Sequence, residues 1–192
     1  TYPTTVQSAR LAWRNLLFLV KNPRFGVVPA TVYLMTAWIV GAATGGAAPD
    51  TPWRALRVTA EAFSTHPGLA LWCGAIVVAF LAFTDTHSKA YRVLGGLAHA
   101  TAHFTAMFYI GWTALDLASR LPGGSGLLGP ALAGLGTFAG GWIAGSLIMG
   151  VYLLVSVNVF GRHSEEAFSG LRIEDFKNFL RLHVDPEGHL TI

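Results

Sequence analysis

The chain has 192 residues, of which 53% are hydrophobic and 12% are charged, and 22 are glycine. This composition excludes an ordinary soluble domain and indicates a membrane protein with several apolar helices. The formal net charge of +3 gives no sign of a nucleic-acid partner, and the single cysteine, Cys73, excludes an intrachain disulfide.

The first 26 residues predict a juxtamembrane lead-in with an interfacial helix. Residues 10–20 (RLAWRNLLFLV) are too few to cross a bilayer, but they interleave apolar and basic side chains as interfacial amphipathic helices do. Asn22 and Pro23 then predict the end of this helix. Basic side chains at the predicted membrane boundary form a basic rim that faces the bilayer surface. The residues of this basic rim are Arg10, Arg14, Lys21, Arg24 and Arg92.

Four apolar runs within residues 27–160 predict a four-span transmembrane domain. A helix needs about 20 apolar residues to cross a hydrocarbon core of about 30 Å. The fourth run is longer than that, and Pro130 with the glycines after it predicts a break before the span begins. An amphipathic helix over 53–63 is predicted to lie on the opposite membrane surface. The predicted spans are 27–44, 68–84, 93–115 and 138–160.

Small residues recur at four-residue spacing along the fourth run, between Gly136 and Gly150. Such spacing permits two helix backbones to approach each other closely. It predicts packing within the bundle, with a homo-oligomer as the alternative.

Residues 161–192 have a different character and predict a cytoplasmic tail. An amphipathic helix is expected over 172–182, and the turn sequence of residues 185–188 follows it. Residues 182–184 before this turn and 189–192 after it predict the start of a β-hairpin whose second strand is cut off, and we expect a small soluble β unit beyond Ile192. The predicted fold is an all-α membrane protein with four transmembrane helices, interfacial amphipathic helices and a short cytoplasmic α/β tail.

The distribution of basic residues predicts the orientation of the chain. With four spans, ten Lys and Arg residues fall on the side that holds both termini, and three fall on the other side. Because basic residues are enriched in cytoplasmic loops, both termini are predicted to be cytoplasmic.

His99 and His103 are the candidate functional side chains. They are four residues apart and therefore share one face of the third predicted span. His103 lies ~16 Å beyond Arg92, near the middle of the bilayer, where ionisable groups face protein or water. Three interpretations are open: a neutral pair bonded to a neighbouring span, a metal site, and a proton or substrate pathway. The predicted hydrogen-bond partners of a neutral pair are Thr137, Ser146, Ser156 and Asn158.

A metal site would need more than these two histidines, because a catalytic zinc has three protein ligands and one open position. Asp85 and His87 are the candidate further ligands, although they lie near the cytoplasmic end of the helix. The candidate metal ligands are therefore His99, His103, Asp85 and His87. We expect a structural pair, which predicts that the purified chain contains no stoichiometric metal.

Two juxtamembrane stretches point to a family. The first is RLAWRNLLF with KNPRFG, at 10–18 and 21–26, and the second is HSEEAFS with LRIEDFKNFLRLH, at 163–169 and 171–183. Together they resemble the membrane-embedded C-terminal region of large bacterial calcineurin-like metallophosphoesterase-family membrane proteins. The resemblance implies a bacterial inner membrane location and an upstream soluble domain that binds two divalent metals and hydrolyses a phosphoester. The metal ligands of that domain are not in this sequence, so it implies no cofactor and no catalytic residue here.

These observations predict a membrane domain that anchors a metallophosphoesterase-type hydrolase at the cytoplasmic face and guides a membrane-borne phosphoester. Its predicted partners are the lipid bilayer and the upstream domain of the same polypeptide. The alternatives are a self-contained intramembrane metal-dependent hydrolase built on His99 and His103, and a small transporter or structural module.

Overall fold

The computed structural model describes residues 4–46, 49–84, 88–122, 126–171, 173 and 182–191. These residues are predominantly helical, and a 3-10 segment (Trp13–Leu17) connects the first two helices. The helices are α1 (Thr5–Ala12), α2 (Phe18–Lys21), α3 (Val27–Thr44), α4 (Pro52–Thr65), α5 (Pro67–Phe83), α6 (Lys89–Ser119), α7 (Leu128–Asn158) and α8 (Ser164–Gly170).

Two of the described helices, α3 and α7, are long and apolar enough to cross a membrane. The helices α4 and α5 meet the same criterion only as a pair, and they are bent by 102° where they join. The described residues thus support two spans, or three if the bent pair is one span, and the prediction of four spans is wrong.

Length and polarity explain why two of the predicted spans fail. The helix α5 has 17 residues, which is ~26 Å of helix and short of a hydrocarbon core of ~30 Å. It starts at Pro67, and the residue before a proline is pushed out of the helical region, so the chain bends at His66. The helix α6 is long enough, but polar side chains along it lower its hydropathy. These side chains include Lys89, Arg92, His99, His103 and Asp116.

The helix α7 is continuous over 31 residues, so the predicted break near Pro130 is wrong. Pro130 lies in the first turn, where a backbone N–H has no partner within the helix and its loss costs little. The glycines after it do not end the helix, because several of them are contact points for its neighbours. A Cβ atom on Gly145 would lie 2.3 Å from Cβ of Pro29 in α3, and one on Gly140 would lie 2.5 Å from Cγ2 of Ile110 in α6.

The N-terminal segment packs on the C-terminal half of α7 and is not the single helix predicted over 10–20. Its 3-10 segment contains Asn15, which is fully buried and donates from Nδ2 to the carbonyl oxygen of Ala12 at 2.9 Å. The backbone at Asn15 approaches α7 so closely that a Cβ on Gly150 would lie 2.2 Å from the Asn15 carbonyl oxygen. Phe18 packs beside Leu153, while Trp13 on the other side of the segment is 60% exposed.

The described part of the tail ends in two antiparallel strands of two residues each, β1 (His183–Val184) and β2 (Leu190–Thr191). They lie on either side of the predicted turn of residues 185–188. The backbone N–H of His189 donates to Asp185 at 2.7 Å, and this bond lowers the pKa of the Asp185 carboxyl. The helix predicted over 172–182 lies outside the described residues except at 173 and 182. Two residues per strand do not make the predicted α/β tail, and that prediction is not supported.

Candidate functional site

The two histidines of α6 are buried inside the bundle, with exposed fractions of 2% for His99 and 3% for His103. Their Nε2 atoms are 3.2 Å apart. Aromatic rings from two other helices cover them: Phe80 of α5 stacks on His103 with centroids 4.8 Å apart, and Tyr152 of α7 stacks on His99 at 4.1 Å. The pair therefore faces protein.

The hydrogen-bond partner of this pair is Tyr33 of α3, whose hydroxyl is 3.0 Å from Nδ1 of His103. A tyrosine within an apolar span is the signal that would have identified it, because a buried phenol needs a partner. The hydroxyl also fixes the ring orientation of His103, so that Nε2 of His103 points at His99. The site is thus built from α3 and α6 and is covered by α5 and α7.

None of the four predicted partners on α7 forms a hydrogen bond with the histidine pair in the described structure. Thr137 donates to a carbonyl oxygen of its own helix at 2.8 Å. Oγ of Ser156 is 2.5 Å from the Tyr91 hydroxyl. Oγ of Ser146 is buried and has no partner among the described residues, and Asn158 is exposed. The prediction of a partner on the fourth span is therefore wrong.

Hydrogen-bond accounting leaves one nitrogen of the pair unsatisfied. If Tyr33 donates to Nδ1 of His103, then Nε2–H of His103 donates to Nε2 of His99, and the N–H at Nδ1 of His99 has no acceptor. If all protons are reversed, Nδ1 of His99 is an acceptor without a donor. Nδ1 of His99 has no partner in the part of the chain that the structure describes. The contact of the two Nε2 atoms requires one donor and one acceptor, so at least one ring is neutral.

A third histidine, His163, joins the cluster from the segment that precedes α8. It is buried and has a φ of 57°, a left-handed conformation that is uncommon for a residue with a side chain. Nε2 of His163 is 3.1 Å from the Tyr152 hydroxyl, and Nδ1 is 3.5 Å from Oε1 of Glu166. Because Tyr152 stacks on His99, a row of polar and aromatic groups leads from Glu166 to the buried pair. The sequence did not connect His163 with this pair, since no helical spacing relates it to His99.

Of the four predicted metal ligands, the structure brings His99 and His103 together. Asp85 and His87 lie outside the described residues. Among residues 4–46, 49–84, 88–122, 126–171, 173 and 182–191, no three His, Cys, Asp or Glu side chains are grouped to hold a metal ion. The described site offers two converging imidazole nitrogens, and a catalytic zinc would need one further protein ligand.

The basic residues concentrate at one end of the bundle. The N-terminal segment and α8 pack on the C-terminal half of α7, and Tyr91 near the start of α6 bonds to Ser156 there. At the opposite end, the described arginines are paired with carboxylates: Arg54 with Asp50, Arg57 with Glu61 and Arg120 with Asp116. The described basic residues of the first end are Arg10, Arg14, Lys21, Arg24, Lys89, Arg92 and Arg162.

An apolar cavity of about 780 Å³ lies toward the other end of the bundle. The C-terminal halves of α3 and α6 and the N-terminal halves of α5 and α7 line it, together with one face of α4. Phe104, which follows His103 in α6, is part of its wall. The cavity therefore begins next to the histidine pair and extends away from it.

Comparisons with protein-family models, with curated proteins and with solved structures find no match to this chain.

Proposed function

We propose that this chain is the membrane-embedded region of a metallophosphoesterase-type hydrolase and that it holds the soluble domain at the cytoplasmic face of the bacterial inner membrane. The observation that carries the anchoring role is the contrast between the two ends of the bundle. One end collects the basic residues, and the other neutralises its arginines with carboxylates. The hydrolase part rests on the juxtamembrane resemblance.

The N-terminal segment is suited to the surface of an anionic bilayer. Arg10, Arg14 and Lys21 are exposed on it, and so are apolar side chains such as Trp13 and Val20. Each basic side chain near an anionic membrane contributes about 1 kcal/mol to the free energy of membrane binding. Apolar side chains add to it when they are buried at the boundary of the acyl chains. The segment and α8 lie together on α7, which supports placing both termini on this same side in the proposal. Positively charged sides are cytoplasmic, which gives the proposed orientation.

The substrate in this proposal is a phosphoester carried by a membrane lipid. A soluble catalytic domain held at the basic end would meet anionic head groups there, because the basic rim attracts them within about a Debye length, ~8 Å at physiological salt. The apolar cavity further into the bundle supports contact with the hydrocarbon part of a lipid.

The proposed orientation predicts the accessibility of two exposed serines. In a Cys73→Ala background, Ser64→Cys at the end of α4 should react with a membrane-impermeant thiol reagent in intact cells. Ser164→Cys at the start of α8 should react only after permeabilisation, because it lies at the basic end. Both serines are exposed in the fold, so burial does not confound the comparison. Labelling of position 164 and not of position 64 in intact cells would contradict the orientation.

The proposed division of labour predicts where phosphoester hydrolysis occurs. Residues 1–192 alone are expected to hydrolyse neither an aryl phosphate nor an anionic lipid in nanodiscs. The longer protein with its upstream domain is expected to hydrolyse both when Mn²⁺ is present and to prefer the lipid. Metal-dependent turnover by the 192-residue chain would contradict the anchor role. Equal rates on soluble and membrane-borne substrates with matched leaving groups would remove the lipid part of the proposal.

A second candidate function is an intramembrane metal-dependent hydrolase, and one observation favours it. The Nε2 atoms of His99 and His103 converge to 3.2 Å in a buried site, and His103 has an orienting partner in Tyr33, as metal-bound histidines usually do. Elemental analysis distinguishes the two candidates. About one zinc or iron per purified chain, lost in the His99→Ala/His103→Ala protein, would favour this second function.

A further inference from the structure

The apolar cavity between α3, α5, α6 and α7 has no role in anchoring a soluble domain. We propose that it is a binding site for one acyl chain of a membrane lipid. The inference rests on the proposed insertion of α3 and α7 into the bilayer, and it does not depend on the phosphoesterase assignment. Three independent features of the walls lead to it: their chemistry, their glycines and the helix that closes one end.

The chemistry of the walls suits hydrocarbon and not a polar ligand. No charged side chain is among the described residues that line the cavity. Of the two indoles in the walls, Trp112 donates from its N–H to the Pro49 carbonyl oxygen at 3.0 Å, whereas Trp38 is 78% exposed. Three of the threonine hydroxyls in the walls donate to carbonyl oxygens of their own helices at 2.7 to 2.9 Å. They belong to Thr36, Thr44 and Thr137. With these groups satisfied, the walls offer a ligand mainly dispersion contacts and apolar burial.

Each of the four helices places a glycine in the wall of the cavity, and packing does not explain these glycines. A Cβ atom would meet no atom within 4 Å at Gly41 of α3 or at Gly74 of α5. At Gly111 of α6 and Gly134 of α7 the nearest atoms would be 3.8 Å and 3.5 Å away, which is ordinary contact. By contrast, a Cβ at Gly145 would overlap α3. The cavity glycines therefore leave space that no protein atom fills, although glycine is a poor helix former.

The helix α4 closes the end of the cavity that lies away from the histidine pair. Its inner face contributes Ala55, Leu56 and Phe63 to the wall, while Arg54 and Arg57 on its outer face are paired with carboxylates. A volume of about 780 Å³ is within the ~300–1,000 Å³ range of ligand pockets. Water in such a cavity would find few hydrogen-bond partners on these walls. A lipid acyl chain is thin, apolar and available wherever the chain is inserted.

The experiment uses the whole chain in nanodiscs that contain a phosphatidylethanolamine with a photoreactive diazirine on one acyl chain. After irradiation, cross-linked peptides are mapped by mass spectrometry. We expect labelling of buried cavity residues, including Cys73 and Met107, besides the labelling of the lipid-exposed surface at Leu71. Leu71 is 75% exposed and lies on the same helix as Cys73, so it reports ordinary bilayer contact.

Two matched variants of α5 test occupancy of the cavity. Gly74→Leu adds a side chain at a residue that lines the cavity, and we expect it to reduce labelling of Met107 at least fivefold without changing labelling of Leu71. Gly68→Leu makes the same change on the same helix, at a glycine that also has open space around it but does not line the cavity. It should change the labelling of neither Met107 nor Leu71. Gly41→Leu, from α3, serves as a second filling variant if Gly74→Leu lowers the Tm.

Three outcomes would overturn the proposal. Labelling of Met107 that stays at the wild-type level in both filling variants would show that the lipid is not in the cavity. Wild-type labelling confined to exposed positions such as Leu71 would show the same. Cross-links from cavity residues to a second copy would assign the cavity to self-association. Recovery of the chain in the carbonate-soluble fraction of cells would instead refute the proposed membrane insertion, so the two failures are distinguishable.

Discussion

His103→Leu is expected to lower the free energy of unfolding by about 3 kcal/mol, and His99→Leu by about 1 kcal/mol. Leucine has a similar volume, so the difference comes from the hydrogen bonds that each change breaks. Loss of the His103 imidazole leaves both the Tyr33 hydroxyl and Nε2 of His99 without a partner. Each buried group left unsatisfied costs about 1–3 kcal/mol.

Loss of His99 costs less because this residue has one satisfied nitrogen and one unsatisfied nitrogen. His99→Leu orphans only Nε2 of His103, and it also removes the buried Nδ1 that has no partner among the described residues. Reversible unfolding in detergent micelles, followed by tryptophan fluorescence, measures the two effects. Equal destabilisation by the two substitutions would contradict the hydrogen-bond order Tyr33–His103–His99.

Tyr33→Phe is the control for this order, because it removes one hydroxyl and keeps the ring. In the wild-type protein it should lower the free energy of unfolding by about 1 kcal/mol, because it leaves Nδ1 of His103 unpaired. In the His103→Leu protein the same change should cost nothing or be stabilising. A double-mutant cycle that finds no coupling between the two positions would show that the Tyr33 hydroxyl does not bond to His103.

Gly145→Ala is expected to destabilise the protein by about 3 kcal/mol, at the upper end of the effect of overpacking. The added methyl would lie 2.3 Å from Cβ and 2.6 Å from Cγ of Pro29. The proline ring cannot rotate away, and it belongs to the first turn of α3. The backbones of α3 and α7 would therefore have to separate, which weakens the contact between the two span-length helices.

Gly134→Ala is the matched control on the same helix. Its methyl would have Leu34 as its nearest neighbour at 3.5 Å, an ordinary contact, so the substitution should be neutral or stabilising by up to about 1 kcal/mol through helix propensity. Thermal unfolding of both proteins under identical detergent conditions gives the comparison. Similar Tm values for the two variants would contradict the close approach of α3 and α7 at Gly145.

The positions of α3 and α4 were readable from the sequence, because local signals set them. The helix α3 covers the residues 27–44 that the first apolar run predicts. The helix α4 begins at Pro52 after Thr51, whose hydroxyl oxygen accepts from the Arg54 backbone N–H. Apolar runs, proline at a first turn and capping side chains act within a few residues, so a single sequence contains the information.

The number of spans was overestimated because an apolar run in the sequence does not by itself meet the length and hydropathy that a membrane-spanning helix needs. Helix length and mean hydropathy decide whether a helix can cross the bilayer alone, and α5 is too short while α6 is too polar. Both helices still form, because they bury their faces against other helices of the bundle. The sequence shows that α6 carries polar side chains at His99 and His103, but it does not show which neighbouring residues form hydrogen bonds with them.

The partners of the two candidate histidines were decided by tertiary structure alone. Spacing places His99 and His103 on one helix face, and only the packing of α3 against α6 brings Tyr33 to them. The same limit applies to glycine. Gly134 and Gly145 have equivalent positions in an apolar glycine-rich run, yet one lines a cavity and the other contacts Pro29. Sequence spacing determines which residues share a face, whereas the neighbour that meets each face depends on how all the helices pack.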